Sequence, residues 1–336
     1  MTSPAFVSAD QAQAMADTAL ACWGAAARPP LLIKIRENIV FRVWFADGRT
    51  AALRLHRPGY QSRASIEAEL EWTAALAGKG LCVPAPLATR KGGLTATAGD
   101  RIASCVAWLD GSAIGSAEQP LNGSRADQVA LFDRLGQLLG RLHAVTDTLD
   151  LPAAANRPVW DESGFFGETP LWGRFWENPA FGAAGRRTVL AARDKARAQL
   201  QAMRARGCDF GLIHADALRE NVMETPGGLA LIDFDDSGFG FRLYDLGTAL
   251  LQNLDEPNLA CIAAALASGY RRGRPVAALD ADMLTLFVLL RCFASTGWIM
   301  TRAPQDDPRQ GFYTKRALRL ARHFMDGTAP WGRVVR

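Results

Sequence analysis

The stretch Gly211-Leu-Ile-His-Ala-Asp-Ala-Leu-Arg-Glu-Asn-Val-Met223 runs into a Pro226-Gly227-Gly228 turn and then into Leu229-Ala-Leu-Ile-Asp-Phe-Asp-Asp236. It places His214, Asp216 and Asn221 in the spacing His-x-Asp-x4-Asn, with Asp233 at the end of the apolar run that follows. These oxygens suit transfer of a phosphoryl group, a reaction that asks a protein for positioning and charge stabilisation more than for covalent chemistry. Asp216 suits the task of orienting an acceptor hydroxyl and taking its proton. Asn221 and Asp233 suit that of ligating magnesium, which needs only one or two carboxylates once phosphate oxygens and water complete its shell.

The elements must bring these residues together. A loop carries Asp216, a strand begins just after Asn221, the chain turns at Pro226-Gly228, and the partner strand returns Asp233 to the same loop. Upstream, Ser8 to Trp23 reads as a helix with Ser8 as N-cap. Ile39–Phe45 and Thr50–Leu55 flank an Asp47-Gly48 turn and read as a hairpin, and Ser65–Leu76 reads as a helix with Ile66, Leu70, Trp72 and Leu76 on one side. Short β-like pieces follow over 94–109, and Asp110-Gly111 breaks the pattern. Ala126–Thr146 has helical leucine spacing, and His143 at its end reads as a residue favoured by the helix dipole, not as a catalytic group. Residues 157–181 are aromatic and Gly/Pro-rich without a period. Trp160, Trp172 and Trp176 there either pin a loop or shape a substrate pocket. Gly269–Gly273 and Arg302–Pro308 read as loops between further helices. The expected fold is α+β: a small antiparallel-sheet lobe, 1–109, followed by a larger mainly helical lobe, 110–336.

Composition narrows the class. With 336 residues, 49% hydrophobic and 21% charged, the chain can bury a large core in one domain or two lobes. Its 38 Lys and Arg against 34 Asp and Glu leave +4, without a basic block, so nucleic acid is not an expected partner. The cysteines Cys22, Cys82, Cys105, Cys208, Cys261 and Cys292 are scattered, which argues against a zinc site or a disulfide framework. The start MTSPAFVSADQ shows no leader pattern, and no stretch reads as a membrane span, so a cytoplasmic protein without a membrane partner is expected.

On HADALREN and LALIDFDD, together with the strand and hinge pattern from about Ile35 to Leu250, the chain resembles the aminoglycoside phosphotransferase superfamily. This is a protein-kinase-like group that includes choline kinases and type II homoserine kinases. The resemblance implies a bilobal kinase-like fold with an active site between the lobes, ATP and magnesium as cofactors, and a small-molecule hydroxyl as acceptor. It implies Asp216 as catalytic base and Asn221 and Asp233 as metal ligands, with His214 organising the catalytic loop. Ala215 stands where the family usually has glycine and is similar to the residue of homoserine kinases.

In the first lobe, ENIVFRV with Asn38 resembles the nucleotide-covering hairpin, although it lacks the glycines of a protein-kinase loop. Arg54 stands where the strand lysine is usual; it is always charged and forked, and is not interchangeable with lysine. Glu69 matches its ion-pair partner and Asp245 matches a buried brace of the catalytic loop, while Trp108 and Leu109 either match the hinge that receives the adenine or form an ordinary buried core pair. Asp235 and Asp236 either add to cation or acceptor binding or bond backbone amides. The alternatives are a protein Ser/Thr kinase and, on Arg54 and the missing glycines, a nucleotide-binding pseudokinase with a regulatory role. A metallohydrolase would need more ligands than His56, His143, His214 and His323 supply. The acceptor and the oligomeric state are not written in any local motif.

Overall fold

A computed structural model describes residues 7–275 and 281–332; residues 1–6, the beginning of the N-terminal stretch read above for a leader, lie outside the described residues. The chain forms two compact units. The first runs through Gly111 and takes in Asp150–Arg157 and Thr225–Gly227; the second comprises Ser112–Leu149, Pro158–Glu224 and the chain from Gly228 onward. A single break after Leu109 therefore describes the division incompletely, because the chain returns to the first unit twice.

The first unit opens with α1 (Ala9–Leu20), started by a capping box in which Ser8 and Gln11 satisfy each other's backbone N–H groups. The strands β1 (Leu31–Ile35), β2 (Ile39–Trp44) and β3 (Thr50–Leu55) follow, then α2 (Arg63–Gly78), β4 (Thr95–Ala98) and β5 (Arg101–Ala107). They build an antiparallel sheet in the order β1-β2-β3-β5-β4. Strand alternation explains what each face does. Ile39, Phe41, Val43, Ala51, Leu53 and Leu55 are buried with the alanine face of α1, whereas Val40, Arg42, Ala52 and Arg54 alternate with them and stay half-buried on the other face.

The second unit contains β6 (Ser112–Ala113), α3 (Arg125–Thr146), β7 (Val159–Trp160), α4 (Glu162–Phe166) and α5 (Gly182–Ala205). After these come β8 (Phe210–Ile213), β9 (Val222–Thr225), β10 (Gly228–Leu231), β11 (Gly238–Phe241), α6 (Leu243–Leu251), α7 (Leu259–Gly273), α8 (Ala281–Arg302) and α9 (Pro308–Met325). Small sheets β10-β9-β6 and β7-β11-β8 carry the loops of interest.

The structure corrects two expectations. Gly269–Gly273 is the last turn of α7, not a loop, and its glycines lie against the backbone of α3. Asp282–Arg302 is long and apolar enough by length and composition to cross a membrane, which the sequence reading did not see; 83% of that window is buried inside the protein, as in a core helix.

Glycine is what lets α3 and α7 approach so closely. A Cβ at Gly136 would lie 2.1 Å from Leu266 O, and one at Gly269 would lie 2.0 Å from Asp133 O. Gly136→Ala should therefore lower stability by about 2 kcal/mol through forced separation of the helices, despite a helix-propensity gain of about 1 kcal/mol. Gly311→Ala in α9, where an added Cβ meets nothing within 4 Å, should raise stability by about 0.5–1 kcal/mol. Urea denaturation midpoints of the two variants check this pair of opposite signs.

Candidate active site

Strand β8 ends at Ile213 and delivers His214, Ala215 and Asp216 into a tight loop. The loop is held from below by Asp245 of α6, fully buried: its Oδ2 accepts from His214 N at 2.8 Å and its Oδ1 from Ala215 N at 2.7 Å. His143 Nε2 adds a third bond to Oδ2 at 3.0 Å, and His143 Nδ1 pairs with the Tyr270 hydroxyl at 2.8 Å. His143, in the last turn of α3 as the sequence implied, is thus a buried brace. Burial alone would raise the Asp245 pKa; the His143 hydrogen bond and charge, His214 and the backbone amide outweigh it and hold the carboxyl below its ordinary value.

Among the described residues Ala215 (φ 64°) and Asp233 (φ 66°) are the non-glycine positions with left-handed backbone. Each costs on the order of 1 kcal/mol, and both sit in this site. A further anchor is Arg219, buried, which reaches Asn253 Oδ1 at 2.7 Å, Glu256 Oε1 at 2.6 Å and the carbonyl of Gln119 at 2.7 Å.

The hairpin closes the site as the sequence implied. Ile232 N donates to Asn221 O at 2.9 Å, so Asp233 emerges directly beside Asn221. Asn221 Nδ2 donates to Asp216 Oδ2 at 2.7 Å and to Asp216 O at 2.9 Å, which turns the amide Oδ1 away from Asp216. His214 Nε2 meets Ile232 O at 3.0 Å, and its Nδ1 accepts from Asp216 N at 3.2 Å. With both ring nitrogens engaged, and burial holding the imidazole pKa down, His214 is a neutral strut and not a proton carrier. Burial raises the pKa of Asp216, Arg291 opposes the rise, and Asp236, Asp233 and Glu220 reinforce it, so the net direction is upward.

Aromatic side chains from 157–181 enclose this loop's surroundings. Trp160, Trp172 and Trp176 are buried; Trp160 stacks on Tyr244 with centroids 5.4 Å apart and donates from Nε1 to Asp236 O at 2.9 Å. Trp160, Phe165, Trp172, Phe175 and Phe293 line a small recess.

In the first unit, Arg54 Nη1 lies 3.6 Å from Glu69 Oε1, and Glu69 is buried while Glu71 is exposed. A second cation shares that carboxylate: Arg157 Nη1 is 3.7 Å from Glu69 Oε2 and donates to Ser65 O at 2.9 Å. Asn38 Oδ1 accepts from Arg57 N at 2.9 Å, tying the turn after β1 to the end of β3. Trp108 is half-buried beside Leu109; its Nε1 donates to Asp110 Oδ1 at 3.1 Å and the Arg42 guanidinium lies 4.4 Å from its ring. The sites named from sequence thus form two sets. His214, Asp216, Asn221 and Asp233 meet in the second unit, and Arg54 and Glu69 meet in the first.

Sequence reasoning missed Arg291, Arg157 and Arg219. For Arg291 a signal existed: it is the lone charge in the apolar run between Asp282 and Arg302. It donates from Nη2 to Asp216 Oδ1 at 2.5 Å. Arg157 and Arg219 carried no signal beyond being arginines in irregular segments.

An α+β fold that brings Asp216, Asn221 and Asp233 together at one loop points to a class, the phosphotransferases. The profile of the APH family, described as the phosphotransferase enzyme family, matches residues 33–279, and the chain belongs to this family. It is 27% identical to a microcompartment-associated aminopropanol kinase, covering 96% of this chain and 99% of that one with a TM-score of 0.79. It is 28% identical over 285 residues to a homoserine kinase of Gluconobacter oxydans, 77% of this chain and 80% of that protein. An amicoumacin kinase in complex with AMP-PNP, Ca2+ and Ami shares the fold at 19% identity and a TM-score of 0.72. The chain is a kinase-type phosphotransferase.

Three buried histidines, His56, His143 and His214, have pKa values lowered first of all by burial. Their folded values lie below the unfolded value of about 6.5, so each adds stability that is complete above that pH and is lost as pH falls through the folded value. The urea midpoint should be flat from about pH 8 to 7 and fall below about pH 6.5. A midpoint that stays level or rises between about pH 6.5 and 5 would contradict buried neutral histidines.

Proposed function

We propose that this phosphotransferase is an ATP- and magnesium-dependent kinase that phosphorylates the hydroxyl of a small amino alcohol or hydroxy amino acid. The observation that carries the reading is the convergence of Asp216, Asn221 and Asp233 on one braced loop. Asp216 orients the acceptor hydroxyl and takes its proton as the phosphoryl group leaves the nucleotide. Its two oxygens are separately held, so the carboxylate is already aimed before substrate arrives.

The donor set fits magnesium. Among the described residues no group of three or more His, Cys, Asp or Glu is arranged to hold an ion, so the cation would come with nucleotide phosphates, as magnesium prefers. Asn221 Oδ1 and the Asp233 carboxylate would hold it, and when bound it supplies charge neutralisation to the phosphates. Arg54, fixed by Glu69, supplies a forked cation for phosphate oxygens where lysine is usual. For the acceptor, the support comes from two relatives above a quarter identity: one is named for aminopropanol and the other for homoserine, both small molecules with an amine and a hydroxyl.

Label from γ-labelled ATP with magnesium should move to 1-amino-2-propanol or homoserine with the wild type. Asp216→Asn should lower turnover at least ~100-fold while nucleotide still raises the melting temperature. Transfer at wild-type rate by Asp216→Asn removes Asp216 from its role, and absence of transfer to every hydroxylated amine tested removes the acceptor class.

A further inference from the structure

Arg291 is an expensive residue. Its side chain is 4% exposed, it stands in the apolar run of α8, and its Nε and Nη1 are buried without a hydrogen-bond partner among the described residues. The Tyr244 hydroxyl beside it is also buried and lacks a bond of proper geometry. Desolvating a guanidinium costs several kcal/mol, and an apolar side chain of similar volume in such a place is commonly neutral or stabilising. Stability therefore does not account for an arginine here. What Arg291 does gain is one short charged bond, Nη2 to Asp216 Oδ1 at 2.5 Å, with its guanidinium lying 4.5 Å from the Trp172 ring centroid.

We propose that Arg291 is a positioning residue for phosphoryl transfer, acting through Asp216. The inference rests on the function proposed above. Asn221 Nδ2 alone holds one oxygen, Asp216 Oδ2, and a carboxylate held at one oxygen can still swing about its Cβ–Cγ bond. Arg291 takes the other oxygen from a different element, so the two donors together fix the carboxylate plane. Trp172 supplies a flat apolar face for the guanidinium, which restricts its own rotation. Gly297 lets this arrangement close: a Cβ there would lie 2.6 Å from Trp172 O, so α8 and the aromatic segment touch through backbone. The aromatic segment and α8 thereby set the aim of a base that neither contains.

The test uses Arg291→Met and Arg291→Lys in the full chain, each in the wild-type and Asp216→Asn backgrounds, with the acceptor that the wild type phosphorylates. Arg291→Met should lower kcat ~100-fold with KM for ATP and the nucleotide-induced melting shift nearly unchanged, and Arg291→Lys should recover part of the loss. In the Asp216→Asn background the same exchange should cost less than ~3-fold, because a residue acting through Asp216 has nothing left to position.

A kcat within ~3-fold of wild type, or an equal loss in both backgrounds, would overturn the role. Should Arg291→Met not fold, Arg291→Lys decides: a ~10-fold lower kcat that vanishes in the Asp216→Asn background supports it, and wild-type kcat overturns it. The wild-type arm keeps the two readings apart. No transfer by wild type removes the proposed function and this role with it; transfer by wild type and equally by Arg291→Met removes only the role of Arg291.

Discussion

A carboxylate without contact to water decides the shape of the catalytic loop. Asp245 accepts two consecutive backbone N–H groups, those of His214 and Ala215, and the turn they make forces Ala215 into a left-handed conformation that an alanine adopts only when its surroundings over-determine it. The proposed site hangs from that turn: Asp216 is the next residue, Asn221 donates to its carboxylate, and the β9–β10 hairpin is registered against the loop through Ile232. His143, itself locked by Tyr270, completes the support, so the brace extends across α3, α6 and α7. Removing one partner from such a buried hydrogen-bonded set leaves another group unsatisfied at a cost of about 1–3 kcal/mol.

The same loop shows how charge is distributed around Asp216. Asp233, Asp236 and Glu220 push the Asp216 pKa up, and Arg291 is the cation that opposes them from within the protein. Each unit pairs a buried or half-buried arginine with a carboxylate: Arg291 with Asp216 in the second, and Arg54 with Glu69 in the first. Glu69 in turn is shared with Arg157, whose Nη1 is tied to the backbone of α2.

Much of this was legible in the sequence because local rules and tertiary structure agree. The Asp47-Gly48 turn, the alternation in β2 and β3, the Ser8 cap and the leucine spacing of α3 are each readable within a short window. So was the catalytic hairpin, since Pro226-Gly227 lies between strands that must pair to bring Asp233 back to Asn221. What was not legible depends on distant contacts. Gly269 and Gly273 look like loop residues until the backbone of α3 is seen against them. His143 reads correctly as a non-catalytic residue of the last turn of α3, but its role as a buried brace shows only when Asp245 and Tyr270 converge on it. Arg291 is separated from its partner by a stretch of chain that no periodicity spans.

The most direct test of the central proposal, that Asn221 and Asp233 hold the nucleotide-borne cation beside Asp216, is EPR-detected Mn2+ binding in the presence of ADP, comparing wild type with Asp233→Asn. Expected is a nucleotide-dependent bound Mn2+ signal in the wild type that is lost in Asp233→Asn while its melting temperature without ligand is retained. An equally strong bound signal in Asp233→Asn would contradict the assignment of Asp233 and, with it, the reading of this loop as the site of phosphoryl transfer.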